Sequence, residues 1–380
     1  MRGMGLTLSH TSALRALRRI RANDVDINTL ETTSFTDAKP LVGKRWSERE
    51  FLHESWHWQV PRTKDPLHVL STSRDERILY TAIRRHLVLR TLPLGSLLYL
   101  DERASIVCPE LLFIQMAEML TLPQLVALGN ELCGNFCCDE MDPCNGEATL
   151  KIPHATTVEK LVIYLNSIKG IRGLVRAREA LRYVCDNALS IPEAVLAAVY
   201  SLPPRESGYG MASLTLNDRY VVDEDAWTEE RKTRVPDIML PFAPIGINYD
   251  GEGHLDLDAI VRANETVHMV DPKDVEQARA ELDACCRRVR SKYVDDIRRN
   301  RELLAAGKVV LPLTKEDLYE KGRLDAFTKQ LLRVSHALFG VEVADFMAML
   351  DDTALARDRW DVLSSLLMNG WGVGQSSRTK

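Results

Sequence analysis

Four residues in the second half of this 380-residue chain have the types needed for metal-assisted phosphodiester chemistry: Glu193, Asp237, Asp250 and His254. That chemistry needs carboxylates converging on one or two divalent cations, which polarise the phosphate and generate the attacking hydroxide. Mg2+ is a hard ion and prefers carboxylate oxygens. Glu193, Asp237 and Asp250 are the candidate ligands. His254, four residues past Asp250, is a candidate general acid or base acting on water or phosphate. Each also has a plainer reading. Glu193 stands three residues after Ser190, the spacing of a capping box. Asp250-Gly251 is a tight-turn signal. Asp237 falls in a strand pattern where aspartate is disfavoured, which strengthens its functional reading.

Positive charge gathers in the same half. Between positions 287 and 301 stand Arg287, Arg288, Arg290, Lys292, Arg298, Arg299 and Arg301, against only Asp295 and Asp296. The whole chain carries a formal net charge of -5, so a general basic coat is excluded and any patch is local. A basic helix beside an acidic site suits a phosphate backbone, with Arg299 as a clamp. The alternative is a solvated face with i,i+4 pairs such as Asp295–Arg299. A second basic stretch, Arg15, Arg18, Arg19 and Arg21, would touch DNA if it belonged to a helix-turn-helix.

The elements that must position these residues follow from periodicity and punctuation. Ser190-Ile191-Pro192-Glu193 opens a helix with Val195, Leu196, Val199 and Tyr200 on its apolar face. Strand patterns cover 214–222, 234–239 and 245–249. A long helix covers about 272–306 and ends at Gly307, followed by a strand over 308–313 and a helix from Lys315. The order is α-β-β-β-α-β-α. Glu193 then lies on the first helix, Asp237 on the middle strand and Asp250 just past the third.

This order, with an acid on the first helix, Pro236-Asp237, and Tyr249-Asp250-Gly251 followed by His254, resembles the restriction-endonuclease-like (PD-(D/E)XK) superfamily. It is similar in particular to the very-short-patch-repair-like endonuclease domains. Asp296, Arg299-Asn300, Leu303, Ala306-Gly307 and Val309-Val310-Leu311 match that group's later helix and strand. The resemblance covers about 188–320. It implies an α/β fold, Mg2+ as cofactor, DNA as partner, and Asn248 at the family glutamate's position. Asparagine is a weaker ligand for a hard cation, and Asp250 stands where the superfamily lysine would be. The resemblance therefore implies either a Mg2+-dependent endonuclease or a descendant that keeps the fold and has lost the chemistry.

The first half resembles, more diffusely, bacterial proteins with AbiEi-type antitoxin regions, through Ser9-His10-Thr11-Ser12-Ala13-Leu14, Leu92-Pro93-Leu94-Gly95-Ser96 and Pro109-Glu110-Leu111-Leu112-Phe113. That implies phage defence or toxin–antitoxin biology, with a toxin or another protein as a further partner, or an antitoxin-like transcriptional regulator. The expected organisation is a mixed α+β domain over 1–150, a helical connector over 151–189, the endonuclease-like domain over 190–320 and a helical tail over 321–380. The turn-rich stretch from Phe136 to Glu147 suggests the first boundary. Within the first domain, a helix is expected over 6–21 with Ser12 as its cap, and a hairpin over 97–107.

Hydrophobic residues make up 45% and charged residues 27%, which excludes a mostly disordered chain. No apolar run approaches membrane-helix length, and no signal core follows Arg2, so the expected location is the cytoplasm. Cys133, Cys137, Cys138 and Cys144 lack the paired C-x2-C knuckles of a zinc site. His53 and His57, four apart, find no third ligand. Phosphate-loop, nucleophile-elbow and dinucleotide motifs do not occur.

Overall fold

The structure is a computed structural model and describes residues 6–33, 58–59, 62–71, 81–88, 90–101, 104–211, 213–221, 233–251 and 257–372. The chain is α/β, and it divides into two compact units. One comprises Met1–Leu214 with Thr353–Lys380, the other Thr215–Asp352.

The first unit carries a six-stranded sheet. Its strands are β1 (Leu6–Leu8), β2 (Thr32–Thr33), β3 (Leu67–Ser71), β4 (Ile83–Leu87), β5 (Leu97–Tyr99) and β6 (Ala104–Val107), in the order β2-β5-β6-β1-β3-β4. The expected hairpin is present: Leu98 pairs with Ile106 across antiparallel β5 and β6. The expected helix over 6–21 begins later. Leu6, Thr7 and Leu8 are strand, paired with β6 on one side and β3 on the other, and long-range pairing overrides the local helical pattern. Helix α1 (His10–Ala22) follows, with Ser9 rather than Ser12 at its cap position.

Helices α2 (Pro109–Met116) and α3 (Leu122–Leu132) start at or next to a proline, where a missing N–H costs nothing. A two-stranded ribbon of β7 (Phe136–Cys137) and β8 (Thr149–Leu150) precedes α4 (Val158–Ser167), α5 (Leu174–Leu181) and α6 (Ile191–Ser201). The turn-rich stretch near 140 is a surface loop and not a boundary. Ala155 and Thr156 donate backbone N–H groups to Leu132 O, and the Asn130 side chain bonds both Cys185 N–H and Ala194 O. These bonds bind the 151–201 segment to α3.

The second unit holds four-stranded and two-stranded sheets. Strands β9 (Thr215–Leu216), β12 (Ile238–Met239), β13 (Ile245–Asp250) and β14 (Val309–Thr314) lie in that order. β10 (Tyr220–Val221) pairs with β11 (Thr233–Arg234). The expected strand over 214–222 breaks at Asn217, whose φ is +52°. The one over 234–239 breaks before Pro236-Asp237, where proline has no N–H to give a ladder. β9, β12 and β13 are antiparallel, and β14 is parallel to β13. A parallel pair needs a long crossover. Here it consists of α7 (Leu257–Met269), which the sequence reading did not include, and the 31-residue α8 (Val275–Ala305). α8 ends in a Schellman motif: Gly307 has φ +74°, Lys308 N–H donates to Leu303 O and Gly307 N–H to Leu304 O. α9 (Lys315–Tyr319), α10 (Arg323–Phe339) and α11 (Ala344–Asp351) complete this unit. α12 (Thr353–Asn369) belongs to the first unit and packs on α3 and α6. Among the described residues no helix is long and apolar enough to cross a membrane.

Candidate nucleic-acid interface and degenerate acidic site

The register of β12 and β13 sets Ile238 against Ile247, so Asp237 stands opposite Asn248. β13 runs without a bulge against β14, with Asn248 facing Pro312 and Asp250 facing Thr314. The strand period of two then puts Asn248 and Asp250 on one face, and Asp237 shares it as a cross-strand neighbour. The structure brings these three expected residues together.

Their bonding is local. Asp237 N–H donates to Asn248 Oδ1 at 3.1 Å, and Tyr249 N–H donates to Asp237 Oδ2 at 2.7 Å. Asn248 is 1% exposed and turns its Nδ2 toward Asn300 Oδ1 of α8, 3.5 Å away. Its amide therefore ties β12, β13 and α8 together. Gly246 supports the same approach: a Cβ there would sit 2.5 Å from Ile238 O.

Glu193 belongs to the other unit. Its carboxylate closes the cap of its own helix, accepting Leu189 N–H at Oε2 (3.0 Å) and Ser190 Oγ–H at Oε1 (2.8 Å). This is the capping-box reading of that residue. His254, His53 and His57 lie outside the described residues. Asp237 and Asp250 remain as the carboxylates of this face. Asn248 offers a single oxygen, engaged by a backbone N–H, and Glu193 has both oxygens engaged at its helix start.

α8 has a clear division of faces. At about 100° per residue, Arg287, Arg290, Arg298 and Arg301 fall within roughly 80° of arc. All four are exposed, and none forms an ion pair among the described residues. The buried Ala278, Cys285 and Leu303 lie on the opposite side of the helix. Arg299 flanks that buried side and pairs with Asp296 at 3.4 Å, while Arg288 donates to Cys285 Sγ at 2.9 Å. Lys292 is exposed. The expected i,i+4 pair of Arg299 is thus an i,i+3 pair.

Comparison of the chain with protein-family models, curated proteins and solved structures finds no match.

The basic stretch of α1 has a different fate from that of α8. Arg18 and Glu131 are both buried and form a bidentate pair at 2.8 and 2.7 Å. Trp371 Nε1–H donates to Glu131 Oε2, and Arg18 donates to Trp371 O. Burial pushes the Glu131 carboxyl up, but the Arg18 guanidinium and the bonds from Arg18 and Trp371 outweigh it and hold it below its usual value. Arg21 is buried against the carbonyls of Glu131, Gly134 and Pro153. Arg15 pairs with Asp65 and Arg19 with Glu140. Arg15, Arg18 and Arg21 are thus engaged in the interior of the unit, and Arg19 is half-buried. Cys133, Cys137, Cys138 and Cys144 are free thiols, the first three buried.

One cluster escaped the sequence reading. His10, His68 and His86 bring imidazole nitrogens within 4.8 Å of one another. Burial and their mutual proximity hold His10 down to about 2. Burial, His86 and the nearby Arg84 and Arg15 hold His68 down to about 3, and burial with Arg84 holds His86 down to about 4. All three are neutral at pH 7. Separations of 58 and 18 residues leave no short motif. The one local signal was a histidine inside the apolar strand Leu67–Ser71, all of whose residues are buried.

Proposed function

We propose that the second unit is a nucleic-acid-binding module of endonuclease descent that binds DNA without cleaving it, as an antitoxin-like or repressor-like regulator would. The observation that carries this reading is the outward stripe of Arg287, Arg290, Arg298 and Arg301, a row of exposed guanidiniums in no ion pair among the described residues. Such a row suits phosphates through counterion release. The loss of chemistry is supported by Asn248, which hydrogen-bonds inside the fold where the family resemblance calls for a carboxylate. Asn300 stands about 120° around α8 from the middle of the stripe.

Binding of a labelled duplex across a salt series tests the reading. Affinity should fall steeply with salt, with a log–log slope near -0.9 per phosphate contact. Plasmid incubated with the protein and Mg2+ should remain supercoiled. Absent or salt-insensitive binding would remove the proposal. Mg2+-dependent nicking that Asp237→Asn abolishes would restore the competing reading, an active endonuclease. A purely protein-binding scaffold, with a toxin as the obvious partner class, gains support if the stripe binds no polyanion at all.

A further inference from the structure

The first unit contains a cluster with the composition of a metal centre, independent of the DNA reading. Three elements build it. β1 pairs antiparallel with β3, so that Ser9 N–H donates to His68 O at 3.0 Å and delivers His10 at the start of α1. β3 and β4 are parallel, with His68 facing Arg84 and Leu70 facing His86, so His68 and His86 are diagonal neighbours on one sheet face. His68 Nδ1 lies 2.9 Å from His86 Nε2, and the His10 ring stacks on that of His86 with centroids 3.6 Å apart. His10 and His68 are each 3% exposed.

Two further observations distinguish this cluster from ordinary packing. His10 has φ +49°, the left-handed region that a non-glycine residue enters only under strain. It is held there by its own backbone N–H on Gln115 Oε1 at 3.1 Å. Strain of this kind concentrates at functional sites, and here it sets the placement of one imidazole. Secondly, the supporting contacts are those that orient ligating histidines. Ser9 Oγ engages His10 Nδ1 at 3.1 Å, and the backbone of His68 is fixed by its N–H donating to Ser12 Oγ at 2.8 Å, Ser12 itself donating to Gln59 Oε1.

We propose that His10, His68 and His86 bind one borderline divalent transition ion, Zn2+ foremost, through their imidazole nitrogens. Three imidazoles are a donor set that suits Zn2+, Ni2+, Cu2+ or Co2+ and disfavours Mg2+ and Ca2+. Zn–N bonds of about 2.0–2.1 Å set tetrahedral ligand nitrogens about 3.3 Å apart, so nitrogens now within 4.8 Å of one another close on an ion when the stacked His10 and His86 rings turn apart. Arg15 is compensated by Asp65, whereas exposed Arg84 stands on the same face as His86 and opposes a cation.

Full-length protein stripped with chelator and titrated with Co2+ tests this. The expected result is one ion per chain, with absorption of a four- or five-coordinate site, no thiolate charge-transfer bands, and displacement by Zn2+. His86→Ala, at the least buried of the three on an edge strand, should weaken binding about 100-fold or more, checked alongside an unchanged circular dichroism spectrum. Arg84→Ala should tighten it severalfold, a gain that misfolding cannot produce. Mg2+ should not compete. No uptake by the native chain, thiolate bands that assign the ion to cysteines, or affinity unchanged by either substitution would overturn the proposal.

Discussion

Helices α1 and α8 both carry dense arginine, yet they put it to opposite uses. In α1, Arg15, Arg18 and Arg21 are buried and Arg19 is half-buried. Their partners are acids and carbonyls far away in sequence: Asp65, Glu131, Glu140, Gly134 and Pro153. In α8, four arginines form an outward stripe, and none of them is in an ion pair among the described residues. Local charge density does not reveal which use a helix makes of its arginines; the fold's supply of long-range acids does. A long side chain can bury its stem and still satisfy its head, provided the acceptors converge.

Glu131→Ala should produce the largest effect, because it leaves the Arg18 guanidinium buried and uncompensated at a cost of about 3–5 kcal/mol. Chemical denaturation followed by Trp fluorescence should show the loss. A change below about 1 kcal/mol would mean that α1 is no more dependent on its acids than α8 is.

The same pair predicts a pH response. The Glu131 carboxyl titrates lower in the fold than in the unfolded chain, where the ordinary value is 4.5. Its contribution is therefore fully present above 4.5 and is lost as pH falls below that value. Denaturation midpoints from pH 7 to pH 3 should decline for the native protein, and the part due to this group should vanish in Glu131→Gln.

For α8 the expectation reverses. Replacing Arg287, Arg290, Arg298 and Arg301 together by alanine should leave stability nearly unchanged, within about 0.5 kcal/mol per site. It should reduce the salt slope of DNA binding by about 0.9 for each phosphate contact removed. Unchanged DNA affinity would break the comparison at this end.

The smallest effect is expected at Asn248→Glu. It places a carboxylate opposite Asp237 and should raise Mg2+ affinity measurably by calorimetry, at some cost in stability because Asp237 N–H and Asn300 lose their partner. If Mg2+ affinity does not move, the acidic face of β12 and β13 is structural in origin.

Much of the second unit was legible in the sequence. Gly307 ends α8 as expected because only a residue tolerant of φ +74° completes that motif. The antiparallel strands, α8 and β14 follow in the order read from periodicity, while α7 and the breaks at Asn217 and Pro236 do not. The pairing of Asp237 with Asn248 was hidden, since a register is a relation between strands and needs the turn between them. In the first unit, Leu6–Leu8 matched a helical repeat but became a strand, because β3 and β6 supply its hydrogen bonds from about 60 and 100 residues away. The histidine cluster was illegible for the same reason.

The return of the chain from α11 to α12 has a consequence for biosynthesis. The second unit is an insertion: the polypeptide leaves the first unit at Leu214 and re-enters it at Thr353. A ribosome makes α1 and α3 early, yet the indole that completes the Arg18–Glu131 pair belongs to Trp371 and emerges more than two hundred residues after Glu131. During that interval the inserted unit has all of its own strands and can fold cotranslationally, while its host waits for a final segment to seal it. The later part of the message therefore closes the part translated first.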